Sequence, residues 1–244
     1  SCIRRAVELD VLSADPWPPA PRGRNSRKAV RIRNAIDVHA LPDPATIELI
    51  LDAIPSHQPA SYGYQLMTAC VYYAGLRPSE VAVLRRRSIV LPQDPSRWGR
   101  IDVREADTLE AEPGEPKTGP RSVPIPPQLV SLIQAWLAKH DLSNDDFLCR
   151  TRHDAIPTNS NWNRAWRRAL DAQGVHRWRI YDCRHAAATL WLASGAPLGE
   201  VARRLGHTVE TLVSTYVGAL TGDEQLTNER ISAVLTPTRA LQVA

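Results

Sequence analysis

Apolar side chains recur every three or four residues along most of the chain after residue 43, a spacing that places them on one face of a helix. Residues 126–139 show it clearly, and Pro197 stands where a helix would begin. The pattern predicts helices over residues 44–54, 61–74, 78–86, 126–139, 159–172, 182–194, 197–205, 208–217 and 222–235.

Between the third and fourth predicted helices the helical spacing of apolar residues stops, and three short stretches typical of strands follow. These stretches read RSIVLP, GRIDVRE and GPRSVPIP, and they are separated by Pro, Gly and acidic residues that favour turns. The sequence therefore predicts a mostly α protein with a small three-stranded antiparallel sheet, an α+β fold. No internal repeat is visible.

Composition limits the class of protein. The four cysteines, Cys2, Cys70, Cys149 and Cys183, form no C-x-x-C pair and are too sparse for a disulfide framework, so we expect reduced thiols in a cytoplasmic protein. Their spacing suggests no metal site, and we expect no cofactor. The sequence begins without a charged-then-apolar leader and contains no apolar run of about 18 residues, so we expect no membrane role.

Charge is distributed unevenly although the net value is only +4. Residues 1–40 carry eight Arg or Lys against four acidic residues, residues 105–116 are acidic, and residues 150–204 hold ten Arg against four acidic residues. Such segregation favours a polyanionic partner, although a solvated charged face would also account for it.

The first 40 residues differ in composition from the rest. SCIRRAVELDVL has helical periodicity but no initiator Met, which suggests the end of a helix whose partners lie upstream. The following Pro- and Arg-rich stretch is typical of an extended basic linker that could follow a phosphate backbone. Its candidate DNA-binding residues are Arg22, Arg24, Arg27, Lys28, Arg31 and Arg33.

Arg77 stands at an unusual place for a cation. In YYAGLRPSEV, Gly75 can end one helix and Pro78 can begin the next, so Arg77 falls at a helix N-terminus. The helix dipole disfavours a cation there unless an anion binds at the same point. The alternative is a structural ion pair between Arg77 and Glu80.

Two further stretches place polar residues where they could meet. YDCRH sets Tyr181, Arg184 and His185 on one helical turn, and the small apolar residues that follow predict a buried helix. A buried arginine must meet an acidic side chain or a ligand anion. Lys117 falls at the tip of a predicted hairpin, where a lysine is usually only solvated.

The stretch GHTVETLVSTY leaves the role of Tyr216 open. Val209, Leu212, Val213 and Tyr216 form an apolar stripe, which favours a core position for the tyrosine. The alternative is a nucleophile positioned by His207.

These motifs together resemble the tyrosine recombinase family of the phage integrase type. G-L-R-x-x-E, K-x-G, x-x-x-R-H, L-G-H and a Tyr nine positions later occur in the family's order, from about Pro44 to about Leu220. The resemblance implies a catalytic domain over residues 41–220, after the end of a core-binding domain and its linker in residues 1–40. Residues 221–244 would be a C-terminal helix and tail.

The resemblance implies a reaction. Arg77 and Arg184 would clamp the non-bridging oxygens of a scissile phosphate, and Tyr216 would attack phosphorus to form a 3′-phosphotyrosyl link. Lys117 would protonate the leaving 5′-oxygen, and His207 would hydrogen-bond the phosphate. Neither ATP nor a divalent ion would be needed.

Three other residues of these motifs receive less direct roles. Glu80 would brace the site and His185 would support it. Tyr181 stands where the family usually has His, and a phenol can still donate a hydrogen bond to phosphate, but it is neither a cation nor a base at neutral pH.

The implied partners are a duplex DNA recombination site and other copies of the chain, as a tetramer on DNA with the segment after residue 220 exchanged between subunits. The implied function is integration or excision of a mobile element. Two alternatives remain: a type IB topoisomerase-like enzyme that relaxes DNA, and a non-catalytic DNA-binding regulator of the same fold.

Overall fold

The computed structural model of the chain describes residues 36–37, 40–57, 62–107, 113–150, 155–216, 227–229 and 231–232, with only the backbone for 55–57 and 62. All of them lie in the compact unit Ile32–Ala244. Residues 1–40, predicted as the tail of an upstream core-binding domain followed by a basic linker, lie outside the described residues except for positions 36, 37 and 40, so the six candidate DNA-binding residues are not described.

Helices dominate the described residues. In chain order they are α1 (Pro44–His57), α2 (Tyr62–Ala74), α3 (Pro78–Ala82), α4 (Pro127–Leu137), α5 (Asn159–Gln173), α6 (Ile180–Ala193), α7 (Leu198–Leu205) and α8 (Val209–Thr215), and the strands are β1 (Ile89–Val90), β2 (Gly99–Val103) and β3 (Arg121–Ile125). The strands pair antiparallel in the order β1-β2-β3. The predicted mostly helical fold with a small antiparallel sheet is confirmed.

The main core forms around α2. This helix packs against α1, α4 and α6, while α1 also packs against α5. On α5 the residues Trp162, Ala165, Trp166, Ala169 and Leu170 are buried, at the spacing of a single apolar face. Burial of that face leaves the arginines of α5 on the surface.

A second, smaller core joins α6, α7 and α8. It contains Ala188 and Leu192 from α6, Val201, Ala202 and Leu205 from α7, Leu212 from α8, and Tyr216. Because α6, α7 and α8 share this core, residues on all three helices are held at fixed distances from one another.

One predicted helix is wrong in its second half. The sequence predicted residues 78–86, but α3 ends at Ala82, and a 3₁₀ turn follows over Arg86–Ser88. Tertiary contacts explain the break, because Arg85 forms a bridge with Phe147 and donates to Glu105 at 2.8 Å. These contacts outweigh the local helical preference of the arginine run.

Other boundaries differ by one to three residues, the largest difference being the end of α1 at His57 instead of residue 54. Helix α6 begins at Ile180 instead of 182, because the carboxylate of Asp182 accepts a hydrogen bond from the backbone N–H of Arg179 at 2.8 Å and so caps the first turn. Of the predicted terminal helix, only residues 227–229 and 231–232 are described, and they are helical. No described helix combines the length and apolar character needed to cross a membrane.

Candidate active site

Arg77 is the first residue of the candidate site, and the structure shows the ion pair that the sequence offered as one interpretation of it. It precedes α3 as the N-terminal cap, and its guanidinium bonds Glu80 at 2.9 Å and the carbonyl of Gly206 at 2.9 Å. The same Nη1 donates to Thr118 Oγ1 at 3.3 Å. The predicted ion pair therefore exists, and the side chain remains 19% exposed, so a ligand can still reach it.

Glu80 holds two arginines at once. Its carboxylate is 1% exposed and accepts two hydrogen bonds from Arg121, each at 2.7 Å, in addition to the contact from Arg77. Burial raises the pKa of Glu80, but the hydrogen bonds and charge of Arg121 outweigh it and leave the pKa below its ordinary value. Glu80 is therefore ionised at neutral pH, as a brace requires.

Sequence reasoning missed Arg121. It begins β3, where an arginine looks like an ordinary exposed strand residue, yet its side chain is only 5% exposed. Its Nε also donates to the carbonyl of Arg204 at 2.8 Å, which ties the sheet to the end of α7. The signal is available only once the burial of Glu80 is known: a buried glutamate needs more charge compensation than one partly exposed arginine supplies.

Arg184 is completely buried on α6. It donates to the carbonyl oxygens of Gly75 and Leu205, which lie at the C-terminal ends of α2 and α7, and its Nη2 lies 3.1 Å from His207 Nε2. The sequence required an acidic side chain or a ligand anion. No described carboxylate bonds Arg184, and carbonyls at helix C-termini, which carry partial negative charge, accept from it instead. Burial and the nearby charge of Arg77 lower the pKa of Arg184.

The cluster has excess positive charge. Arg77, Arg121 and Arg184 carry three positive charges against the single carboxylate of Glu80, and Nε of Arg184 is buried without a hydrogen-bond partner within the described ranges. An unpaired guanidinium nitrogen beside two other guanidinium groups is an arrangement that an anion stabilises.

His207 completes the cluster from the turn after α7. Arg184 can only donate, so Nε2 of His207 accepts and the proton lies on Nδ1, which is buried and has no partner in the described part of the chain. Burial, followed by the charge of Arg184, lowers the pKa of His207 to about 4. The ring is therefore neutral at pH 7, with an N–H available to a ligand.

Tyr216 is fully buried in the small core. Its hydroxyl lies 2.8 Å from Nδ1 of His185. The sequence had suggested His207 as the neighbour of Tyr216, but the structure places His185 there. Burial raises the pKa of Tyr216 and the charge of Arg184 opposes it only in part. The predicted stripe is narrower than expected, because Val209 is 46% exposed.

Two remaining predicted residues lie at the edge of the site. Tyr181 is 37% exposed in the first turn of α6, and its ring meets the ring of His185 edge-on with centroids 5.0 Å apart. Lys117 is exposed in the turn of residues 116–119, where the N–H of Gly119 donates to the carbonyl of Pro116 at 2.9 Å. Its neighbour Thr118 accepts from Arg77, so this turn lies beside the arginine cluster.

Comparison with known sequences identifies relatives. A sequence model of the Phage integrase family matches residues 43–221. An integrase assigned to prophage phiRv2 of Mycobacterium tuberculosis (strain H37Rv) is 30% identical over 189 residues, which cover 75% of this chain and 48% of that protein. The integrase of Mycobacterium phage L5 is 26% identical over 243 residues, or 94% of this chain and 59% of the phage protein. The chain spans about half the length of these relatives.

Solved structures share the fold. The XerH site-specific recombinase bound to difH substrate has a TM-score of 0.59 at 18% identity, covering 84% of this chain and 56% of that chain. The Tn1549 transposon integrase in complex with circular intermediate DNA has a TM-score of 0.60 at 16% identity, covering 91% of this chain and 70% of that chain. At these identities the likeness concerns the fold alone.

Proposed function

Because this chain belongs to the phage integrase family, we propose that it is the catalytic part of a site-specific recombinase that cleaves and rejoins duplex DNA through a 3′-phosphotyrosyl intermediate. The observation that carries the proposal is the cluster of Arg77, Arg121 and Arg184. Its carboxylate, Glu80, pairs with the first two arginines, and Arg184 Nε and His207 Nδ1 have no partner among the described residues. These groups offer one phosphate several fixed donors.

In the reaction, Arg77 and Arg184 hold the non-bridging oxygens of the scissile phosphate. Charge grows on these oxygens as the transition state forms, so donors that are already in place stabilise it without reorganisation. His207 adds a neutral N–H donor, and Tyr181 adds a hydroxyl at the open edge of the site. Glu80 and Arg121 do not touch the phosphate but keep Arg77 aligned.

Bond making and breaking are divided between Tyr216 and Lys117. The oxygen of Tyr216 forms a bond to phosphorus, the bond from phosphorus to the 5′-oxygen breaks, and Lys117 gives that oxygen a proton. A 5′-hydroxyl from another strand reverses the steps. Since Tyr216 is completely buried and its pKa is raised, DNA binding has to open this part of the structure so that the scissile phosphate reaches the phenol.

The DNA surface extends beyond the cluster. Arg164, Arg167 and Arg168 are exposed on α5, and Arg177 lines the same surface depression. None of the three on α5 pairs with a carboxylate among the residues described. We assign them contacts with DNA phosphates, and we assign the same role to the basic residues between Arg22 and Arg33 in the linker.

Assembly is a second part of the proposal. Strand exchange requires more than one active site, and we propose a tetramer on DNA in which the segment after residue 220 docks on a neighbouring subunit. Ile231 in that segment is 52% exposed, which leaves an apolar side chain available for such docking. A chain ending at Leu220 would then cleave DNA without forming the tetramer, as measured by light scattering on DNA.

Covalent trapping tests the central proposal. The intact protein is incubated in EDTA with a nicked duplex that contains the attachment site, beside the variant Tyr216→Phe. A protein-DNA adduct from the parent that is absent with Tyr216→Phe is the expected result. Binding without any adduct would favour the non-catalytic regulator, and a two-site exchange assay would separate recombination from topoisomerase activity.

A further inference from the structure

Three aromatic rings form a row between the surface and the buried nucleophile. The ring of Tyr181 meets His185 edge-on at 5.0 Å between centroids and an interplanar angle of 71°. The ring of His185 lies 5.7 Å from that of Tyr216, and the two are joined by the 2.8 Å contact between Nδ1 and the hydroxyl. The candidate nucleophile thus has a basic nitrogen as its immediate neighbour.

We propose that His185 accepts the proton of Tyr216 when the phenol attacks phosphorus, and that the ring of Tyr181 positions His185 for this transfer. The inference rests on the proposed function, and it gives His185, which the sequence placed only in a supporting role, a direct part in the reaction. His207 is poorly placed for this proton transfer, because its Nε2 already accepts from Arg184.

The surroundings of His185 keep its imidazole neutral, so that it can accept a proton. Burial lowers the pKa of His185 to about 4, Asp182 opposes this shift, and the charges of Arg179 and Arg184 add to it. The imidazole is therefore neutral at pH 7. The transfer uses the neutral form that carries its proton on Nε2, in which Nδ1 accepts a hydrogen bond from the Tyr216 hydroxyl 2.8 Å away.

Other groups near His185 come from the elements packed against α6. The hydroxyl of Tyr216 reaches it from the end of α8, and His207, after α7, interacts with it electrostatically. Asp182 is the carboxylate among these groups, and it favours the protonated ring. It can therefore stabilise the imidazolium that exists while Tyr216 is bonded to phosphorus.

The step balances. The proton of the Tyr216 hydroxyl passes to Nδ1 of His185 as the bond from oxygen to phosphorus forms, and the departing 5′-oxygen receives a proton from Lys117. On rejoining, Lys117 takes a proton from the attacking 5′-hydroxyl and His185 returns its own to Tyr216. Arg179 and Arg184 destabilise the imidazolium, which favours the return.

The pH dependence of cleavage tests the inference. With the intact protein and a nicked attachment-site duplex, we expect His185→Gln to slow single-turnover adduct formation at pH 7 by about 10²-fold or more. Its rate should then rise about tenfold per pH unit up to pH 9, because hydroxide must replace the histidine. The parent should show a flat profile over the same range. The control His140→Gln alters an exposed histidine that stacks on Trp136 and should match the parent.

A modified substrate separates the two proton transfers. A duplex with sulfur in place of the 5′-bridging oxygen has a leaving group that needs no protonation, so it should restore Lys117→Ala but not His185→Gln. Tyr181→Phe keeps the ring and should keep the flat profile even if its rate falls. Tyr181→Leu removes the ring and should shift the profile toward that of His185→Gln.

Two outcomes would contradict the proton transfer to His185. Adduct formation by His185→Gln with the parent's rate and profile, while Tyr216→Phe forms none, would overturn the inference and leave the proposed function standing. No adduct from the parent with either substrate would overturn both. If His185→Gln fails to fold, ¹⁵N spectra of the parent imidazole decide: a protonated Nδ1 at pH 7 contradicts the inference, and an unprotonated one supports it.

Discussion

Glu80 shows how one buried side chain can hold two arginines of the candidate site in place. Its carboxylate joins Arg77, which begins α3, to Arg121, which begins β3, and both arginines reach on to carbonyls at the end of α7. The position of Arg77 therefore depends on a buried charge that is itself stable only while both arginines are present.

We predict that Glu80→Gln lowers the free energy of unfolding by about 3 kcal/mol, because it leaves buried guanidinium groups without their counter-charge. Urea unfolding measures the loss. The matched control is Glu48→Gln, an exposed position on α1, which should change stability by less than about 0.5 kcal/mol. Equal stability of the two variants would show that Arg121 finds another partner.

The sequence predicted which residues belong to the candidate site better than it predicted which side chains they contact. Arg77, Arg184 and His207 do lie together, as the motif order implied, because each is fixed by a helix end or a helix face that local pattern can locate. Arg121 and the contact between His185 and Tyr216 were not foreseen. Both depend on how α8 and β3 pack against distant elements, and side-chain periodicity holds no information about that packing.

At the scale of elements, the site is assembled from helix ends. The carbonyls of Gly75, Leu205 and Gly206 come from the C-termini of α2 and α7, and all three accept from the arginines of the site. Gly75 was expected to end a helix, and its φ of +60° confirms this. The close approach of Trp191 to the same glycine was not predictable from sequence.

We predict that Gly75→Ala is far more damaging than Gly174→Ala. Both glycines have positive φ, at +60° and +61°, and strain alone costs about 1 kcal/mol. At Gly75 an added Cβ would also lie 2.9 Å from the ring of Trp191, whereas at Gly174 nothing lies within 4 Å. The resulting overpacking should cost about 1–3 kcal/mol more in the free energy of unfolding, and it should shift the Gly75 carbonyl to which Arg184 donates.

Thermal unfolding and adduct formation measure the difference between these glycines. Gly174→Ala serves as the matched control for backbone strain, and Gly199→Ala, with open space and no positive φ, as the control for the added methyl alone. If Gly75→Ala and Gly174→Ala lost equal stability, the contact with Trp191 would be irrelevant.

Helix α5 leads to a prediction about salt. If Arg164, Arg167 and Arg168 each contact one phosphate, changing any one to Gln should reduce the slope of log affinity against log salt by about 0.9. Fluorescence anisotropy with a labelled attachment-site duplex at several salt concentrations measures the slope. Arg97→Gln, exposed in the connection between β1 and β2, should leave it unchanged, and equal slopes for all variants would remove α5 from the DNA surface.

At the scale of the whole molecule, the buried histidines make stability depend on pH. His185 and His207 have folded pKa values of about 4 against an ordinary value of 6.5. The unfolded chain therefore binds more protons between these values, so the stabilisation is complete above pH 6.5 and is lost as pH falls toward 4.

We predict that the free energy of unfolding falls by about 2 kcal/mol between pH 7 and pH 5, a figure reduced to allow for partial solvent screening of both rings. Urea titrations at the two values measure it. The double variant His185→Gln, His207→Gln should show a much smaller difference. A dependence as steep as that of the parent would assign the effect to other groups.

If Tyr216 is the nucleophile, as proposed, its burial protects DNA outside the attachment sites. A phenol with no exposed surface cannot attack the backbone of DNA that the protein meets by diffusion, and strand breakage waits until a bound duplex uncovers it. Copies of the protein can therefore outnumber attachment sites without producing breaks elsewhere. The folded state itself thus restricts damage to sites where the protein stays bound long enough to rearrange.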